Sequence, residues 1–176
     1  NMKRKIDTHN MQTLKTNQQQ TDPRTCNCRI MTDCPLDGKC LTKSVVYQAT
    51  VTETNTNKTE TYVGLCETDF KTRYYNHRST FKHENKQNNT GLSKHIWHLK
   101  NNKTPHKITW KILQKARTYN NISKRCQLCT LEKFIIITQP KNATLNKRNE
   151  LVSQCRHSRS YLLSHTAYKT PATSGG

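Results

Sequence analysis

The sequence predicts an α/β domain: a small three-stranded antiparallel sheet flanked by helices, led in by a short cysteine-rich segment. Three observations predict it. Period-two stretches at 44–51, 59–64 and 106–113 read as strands. Stretches with helical spacing fall between and after them, giving the order strand, strand, helix, helix, strand, helix. Four cysteines crowd together just before the first strand.

Residues 1–25 carry a Gln run and no apolar periodicity, and read as a flexible basic linker. Residues 26–43 form the cysteine-rich segment, CNCRIMTDCPLDGKC and the three residues after it, with Pro35 and the Asp37-Gly38 turn between its last two thiols. It holds too few apolar residues to fold without a staple, and a metal ion is the obvious one.

The main domain is expected over 44–157. Ser44–Val51 is its first strand, Asn55–Lys58 a turn, and Thr59–Gly64 the returning strand of a hairpin. Thr68 or Asp69 can cap a helix to about Lys82, on which Phe70, Tyr74, His77 and Phe81 share one face. A second helix starts near Thr90 and aligns Leu92, Ile96 and Leu99. After Pro105, the stretch His106–Leu113 reads as a third strand with Ile108, Trp110 and Ile112 on one face. Arg125–Thr138 is the most apolar helix, and Asn146 to about Gln154 a short last one. Residues 158–176 read as a disordered tail.

Charge narrows the function classes. Thirty Lys and Arg against eleven Asp and Glu give +19 and a pI of 9.8, a field that draws polyanions. No run nears the roughly 18 apolar residues of a membrane span, so nucleic acid, not membrane, is the expected partner.

The cysteines suit a metal better than disulfides. Cys26, Cys28, Cys34 and Cys40 are spaced C-x-C-x5-C-x5-C, and thiolates this close in sequence can converge on one tetrahedral zinc ion. Cys126 and Cys129 share a helical face and are candidates, with Cys155 or His157, for a second zinc site; small core residues are the plain alternative.

A third constellation carries chemistry. Tyr47 ends Val-Val-Tyr on the first strand, and Tyr62 begins Tyr-Val-Gly on the second, where Gly64 permits close backbone approach. Arg73 and His77 lie four apart on the next helix, hence on one face. Glu132 interrupts a Leu, Phe and Ile helix, and Asn146 follows. Singly, each has an ordinary reading: strand aromatics, a solvated helix face, a polar helix edge, a helix cap.

Taken in order, these residues resemble the GIY-YIG nuclease domain. Val-Val-Tyr47 stands for the first tripeptide and Tyr62-Val-Gly64 for the second, followed by Arg73, His77, Glu132 and Asn146. The branch most resembled is the endonuclease domain of Penelope-like retroelements, through the CPL-x-G-K-C segment and the stretches LSKHIWHLK, KRCQLCTLEKFIII and TLNKRNELVSQCRH. The likeness covers about residues 26–157. It departs from the family at Val-Val-Tyr in place of Gly-Ile-Tyr, and at Cys66 in place of a small hydroxyl residue.

The resemblance implies an endonuclease that hydrolyses a DNA phosphodiester with one divalent cation, Mg2+ or Mn2+, on Glu132. Arg73 would clamp the scissile phosphate, and Tyr47 would be the general base or orient water, with His77 the other candidate base. Tyr62 would help His77 position water or phosphate, and Asn146 would anchor Glu132 or the phosphate. It further implies a reverse transcriptase domain in the same polyprotein, a nuclear or at least intracellular setting, and nicking of target DNA for integration. Lys71, Arg78, Lys82, Lys94, Lys100 and Lys103 are the expected phosphate contacts. The alternative functions are a non-catalytic DNA- or RNA-binding module on the same fold, and a secreted disulfide-rich protein.

Overall fold

The computed structural model describes residues 24–117, 119–120, 122, 125–146 and 155. Strands β1 (Lys43–Glu53), β2 (Thr59–Asp69) and β3 (His106–Lys115) form one antiparallel sheet in the order β2-β1-β3. Helices α1 (Phe70–Lys82), α2 (Gly91–Asn101) and α3 (Gln127–Thr138) complete the α/β architecture expected from the sequence. Two short strands, β4 (Tyr119–Asn120) and β5 (Arg125–Cys126), pair just before α3, where only helix was expected from Arg125.

β1 is central, and every residue from Val45 to Ala49 is buried. Alternation along it assigns the two sheet faces. Val45 and Tyr47 pack with Phe70 of α1, while Ala49 and Val51 pack with Leu92, Ile96 and Leu99 of α2. Val46 points the other way and meets Val63 of β2 with Leu128, Ile135 and Ile136 of α3. Helices therefore cover both faces.

β2 outruns its expected end at Gly64. Its pairing with β1 continues through Val46 opposite Leu65 and Val45 opposite Cys66, and the strand stops only at Asp69. Asp69 is also the N-cap of α1, its carboxylate accepting from the Thr72 amide at 2.8 Å. Strand and helix thus join without a loop, which fixes the direction of α1 from the hairpin. A cap of this kind contributes about 1 kcal/mol. Thr90 and Ser93 cap α2 reciprocally, and Trp97 Nε1 donates to the Thr80 carbonyl at 2.9 Å, joining α2 to α1.

The outer edge of β2 is covered by 144–146, which satisfies backbone groups that would otherwise lie open. Thr61 N donates to Thr144 Oγ1, and Leu145 N donates to the Thr61 carbonyl. Gly91 makes room for this return, since a Cβ there would lie 2.2 Å from the Leu145 carbonyl oxygen. All but the last two residues of the expected linker, the short helix beyond Asn146, and the tail at 158–176 lie outside the described residues.

Candidate active site and thiolate centres

Tyr47 has no solvent exposure. It stands opposite Gly64 in the β1–β2 register, where a Cβ would come within 2.5 Å of the tyrosine oxygen. Glycine is therefore required at 64 because the Tyr47 side chain occupies the space above it. Arg73 Nε donates to that oxygen at 3.0 Å, and His77 Nε2 lies 2.7 Å from it. With Arg73 donating and His77 as the other partner, the tyrosine proton goes to Nε2, which places the histidine proton on Nδ1.

His77 is 1% exposed, enclosed by Trp110, Phe81 and the ring of Tyr62 at centroid distances of 5.4, 6.0 and 6.0 Å. Burial, and then the Arg73 guanidinium, push its pKa down to about 3. It is neutral at physiological pH and free to accept the tyrosine proton. Burial likewise pushes the Tyr47 hydroxyl well above the ordinary tyrosine range, with the neighbouring Arg73 opposing in part. In the resting structure Tyr47 thus serves as the anchor that orients Arg73, and its oxygen does not meet bulk water.

Asn146 has a different place from the one expected. Its Oδ1 accepts from Val63 N and its Nδ2 donates to the Val63 carbonyl, both at 2.8 Å. The amide clamps the backbone between Tyr62 and Gly64 instead of reaching Glu132 or an open anion site. Cys66 is 5% exposed, in the cluster with Leu36, Val45, Tyr47 and Phe70, and burial raises its thiol to about 11. It fills core space as a small apolar group.

The structure brings Tyr47, Tyr62, Arg73 and His77 together and sets Asn146 behind them. Glu132 rides on α3, which packs on the opposite face of the sheet. It is half-buried in the helical row Leu128–Glu132–Ile136, an unusual place for a carboxylate.

The expected phosphate contacts spread over α1, α2 and the turn that follows α2. Arg78, Lys82, Lys94, Lys100 and Lys103 are exposed, while Lys71 is half-buried and donates to Asn27 Oδ1 at 2.6 Å. Lys100 lies 4.6 Å from the Trp97 ring centroid and donates to the Phe81 carbonyl.

The sulfurs of Cys26, Cys28, Cys34 and Cys40 all lie within 4.8 Å of one another. Individual pairs are 3.5 Å (Cys26–Cys40) and 3.7 Å (Cys26–Cys34, Cys28–Cys40). A tetrahedron with metal–sulfur bonds of about 2.3 Å has edges of about 3.8 Å. Cys28 N and Gly38 N point at Cys26 Sγ and Cys34 Sγ, as amides that stabilise thiolates do. Although burial opposes it, the amides of Leu36 and Gly38 bring the Cys34 thiol down to about 7. Burial and the neighbouring thiols drive Cys40 up to about 12.

Cys126, Cys129 and Cys155 form a second group, with Cys129 and Cys155 sulfurs 3.5 Å apart. Both clusters could hold a metal ion such as zinc; His157, the expected fourth partner of the second, lies outside the described residues. Comparison with protein-family models, with curated proteins and with solved structures finds no match.

Two outcomes follow from this geometry. His77 refuses a proton that the unfolded chain takes up below about pH 6.5, so its contribution to stability is complete above that value and falls away toward pH 3. Denaturant unfolding should show about 2 kcal/mol of loss between pH 6.5 and 5 from this group, absent in His77→Gln; equal slopes for the two proteins contradict the buried neutral histidine. Protein purified without chelators should carry about one equivalent of zinc that Cys26→Ser with Cys40→Ser removes; metal-free wild type with all eight thiols titratable contradicts the four-cysteine centre.

Proposed function

We propose that this chain is a divalent-cation-dependent DNA endonuclease of the GIY-YIG type. The observation that carries the reading is the buried contact of Tyr47 with both Arg73 and His77 beneath Gly64. It joins residues singled out on three separate elements, in the order that the resemblance requires.

In this reading the Arg73 guanidinium, held at Nε by Tyr47, turns its remaining donors to the scissile phosphate, where a planar fork matches two oxygens as charge builds. The Tyr47–His77 pair takes the proton of the attacking water. Tyrosine accepts it while passing its own proton to Nε2, and the anionic phosphate seated on Arg73 offsets the guanidinium that otherwise helps keep the imidazole neutral. This transfer requires bound DNA to open a path to the Tyr47 oxygen. Tyr62 borders the histidine and holds it toward Tyr47, and the Asn146 clamp keeps the Tyr-Val-Gly backbone in place.

A single carboxylate fits a magnesium ion that keeps waters and phosphate oxygens as its other ligands, and Glu132 is the carboxylate the resemblance offers, although α3 sets it on the sheet face away from Arg73. Bound there, such a cation would supply polarisation of the phosphate and stabilisation of the leaving oxygen. Zinc held by Cys26, Cys28, Cys34 and Cys40 would have a structural part. The Phe70 and Lys71 amides donate to the carbonyls of Thr42 and Cys40, so the centre is tied to the start of the helix that carries Arg73. The same reading places the chain in the nucleus beside a reverse transcriptase in one polyprotein, nicking target DNA for integration.

The total burial of Tyr47 favours a second reading, a module that binds nucleic acid without cutting it. Supercoiled plasmid separates the two. The endonuclease nicks it only with Mg2+ or Mn2+, and Arg73→Ala or Glu132→Ala lowers the rate by about 100-fold or more while DNA binding persists. Wild-type protein that binds plasmid in low salt and never nicks it with either ion contradicts the enzyme reading.

A further inference from the structure

A cleft of about 440 Å³ opens between the cysteine-rich segment and the outer face of α1. Its volume is in the range of small-ligand sites. Arg29, Lys71 and Arg78 line it with three cations against the one carboxylate of Asp33, and Tyr74 and Tyr75 supply aromatic surface. The two rings differ in what they can do. Tyr74 is packed against Phe70 and Trp110 in the core, and the Arg78 guanidinium lies 5.8 Å from its ring centroid. Tyr75 stands beside it, 5.7 Å between centroids, and is 52% exposed. At the mouth Ile30 is 59% exposed, an apolar side chain that a polar chain leaves open to solvent.

The walls are fixed. Lys71 holds the cysteine-rich segment by its bond to Asn27, and the backbone bonds of Phe70 and Lys71 to Thr42 and Cys40 fasten that segment to the helix. The cleft is thus a seam between two parts of the chain some 40 residues apart. A flat aromatic ring flanked by cations is the surface that takes a nucleobase by stacking and its phosphates by charge. A phosphate alone would use the cations and leave Tyr75 and Ile30 without purpose.

Position completes the argument. Lys71, Tyr74, Tyr75 and Arg78 form one stripe of α1, and Arg73 and His77 form another, roughly a third of a turn around the same helix. Across a helix about 10 Å wide, the two sites are separated by roughly three base steps of 3.4 Å along one strand.

We infer that this cleft binds an unpaired nucleotide of the DNA strand, close to the strand break at the proposed phosphate-cleaving centre. The inference rests on the nuclease reading for its position and on the cleft's own chemistry for its ligand. Binding to DNA near a gap or frayed end is therefore the property it confers. Stacking on one tyrosine is a sequence-tolerant interaction, so the cleft recognises the unpaired state of the nucleotide and not its base.

Fluorescence anisotropy of the full chain, without added Mg2+ or chelator, tests it on three labelled probes. These are a blunt 20-base-pair duplex, the same duplex with a five-nucleotide gap, and the gapped duplex with RNA in the gap. Wild type should bind the gapped DNA about tenfold more tightly than the blunt duplex. Tyr75→Ala should bring that ratio to about one, and Tyr75→Phe should restore it, because stacking needs the ring and not the hydroxyl. Thermal unfolding of both variants checks that the half-exposed position leaves the fold intact. Equal affinity for gapped and blunt DNA, a preference that survives Tyr75→Ala, or a preference seen only with RNA in the gap each overturns the inference. Nicking is scored separately with Mg2+. A protein that nicks without the gap preference sinks the cleft alone, and one with the preference that never nicks sinks the nuclease reading alone.

Discussion

The Tyr47 oxygen is sealed from bulk solvent, and there a hydroxyl needs both a donor and an acceptor to avoid a cost of about 1–3 kcal/mol. Arg73 and His77 meet that need from consecutive turns of α1. Everything nearby follows from it. Gly64 is bare because the ring passes over it, and the direct junction of β2 with α1 at Asp69 sets the helix at the height where both side chains reach. Asn146 fixes the strand on the far side by both of its amide atoms. A displaced tyrosine would release the arginine, leave a buried histidine without its partner and open a void beside the Tyr-Val-Gly stretch of β2.

That single contact also sets the electrostatics of the site. Neutral His77 and protonated Tyr47 leave the guanidinium of Arg73 as the charge in a trio surrounded by Phe70, Trp110 and Tyr62. A cation in such surroundings attracts a phosphate more strongly than one in open solvent, because the low dielectric screens it less. The exposed lysines of α1 and α2 act at longer range and respond to salt. The two sets differ in kind: one is placed by the fold, the other is a general field.

Much of this was legible in the sequence where the signal is local. The strand at Ser44–Val51, the cap offered at Thr68 or Asp69, the helix start at Thr90 and the Leu92–Ile96–Leu99 row all depend on neighbours a few residues away, and the structure contains each, with Asp69 as the cap. The strand of 59–64 proved longer because its continuation, Leu65 to Asp69, is polar at its end and is held by pairing with β1, which local pattern does not register. The β4–β5 hairpin has strands of two residues, too short for any periodicity. Among the candidate site residues, the spacing of Arg73 and His77 announced a shared face, but nothing local told that Tyr47 would be sealed from water. The Asn146 clamp spans 83 positions in the chain, and the cleft at Tyr75 is built from segments some 40 residues apart, so neither leaves a local trace. Cys66 is the converse case: it departs from the pattern the sequence resembles, and the core simply absorbs it as a small side chain.

The central claim, that Tyr47 donates to a neutral, buried His77 and thereby holds Arg73, is open to direct measurement. Nitrogen-15 NMR of the imidazoles across pH 8 to 5 reports both tautomer and charge for each histidine. The account predicts one histidine that stays neutral throughout, protonated at Nδ1 with Nε2 accepting, and whose Nε2 shift moves in Tyr47→Phe. A His77 signal that titrates near its ordinary value of 6.5, or that carries its proton on Nε2, contradicts it.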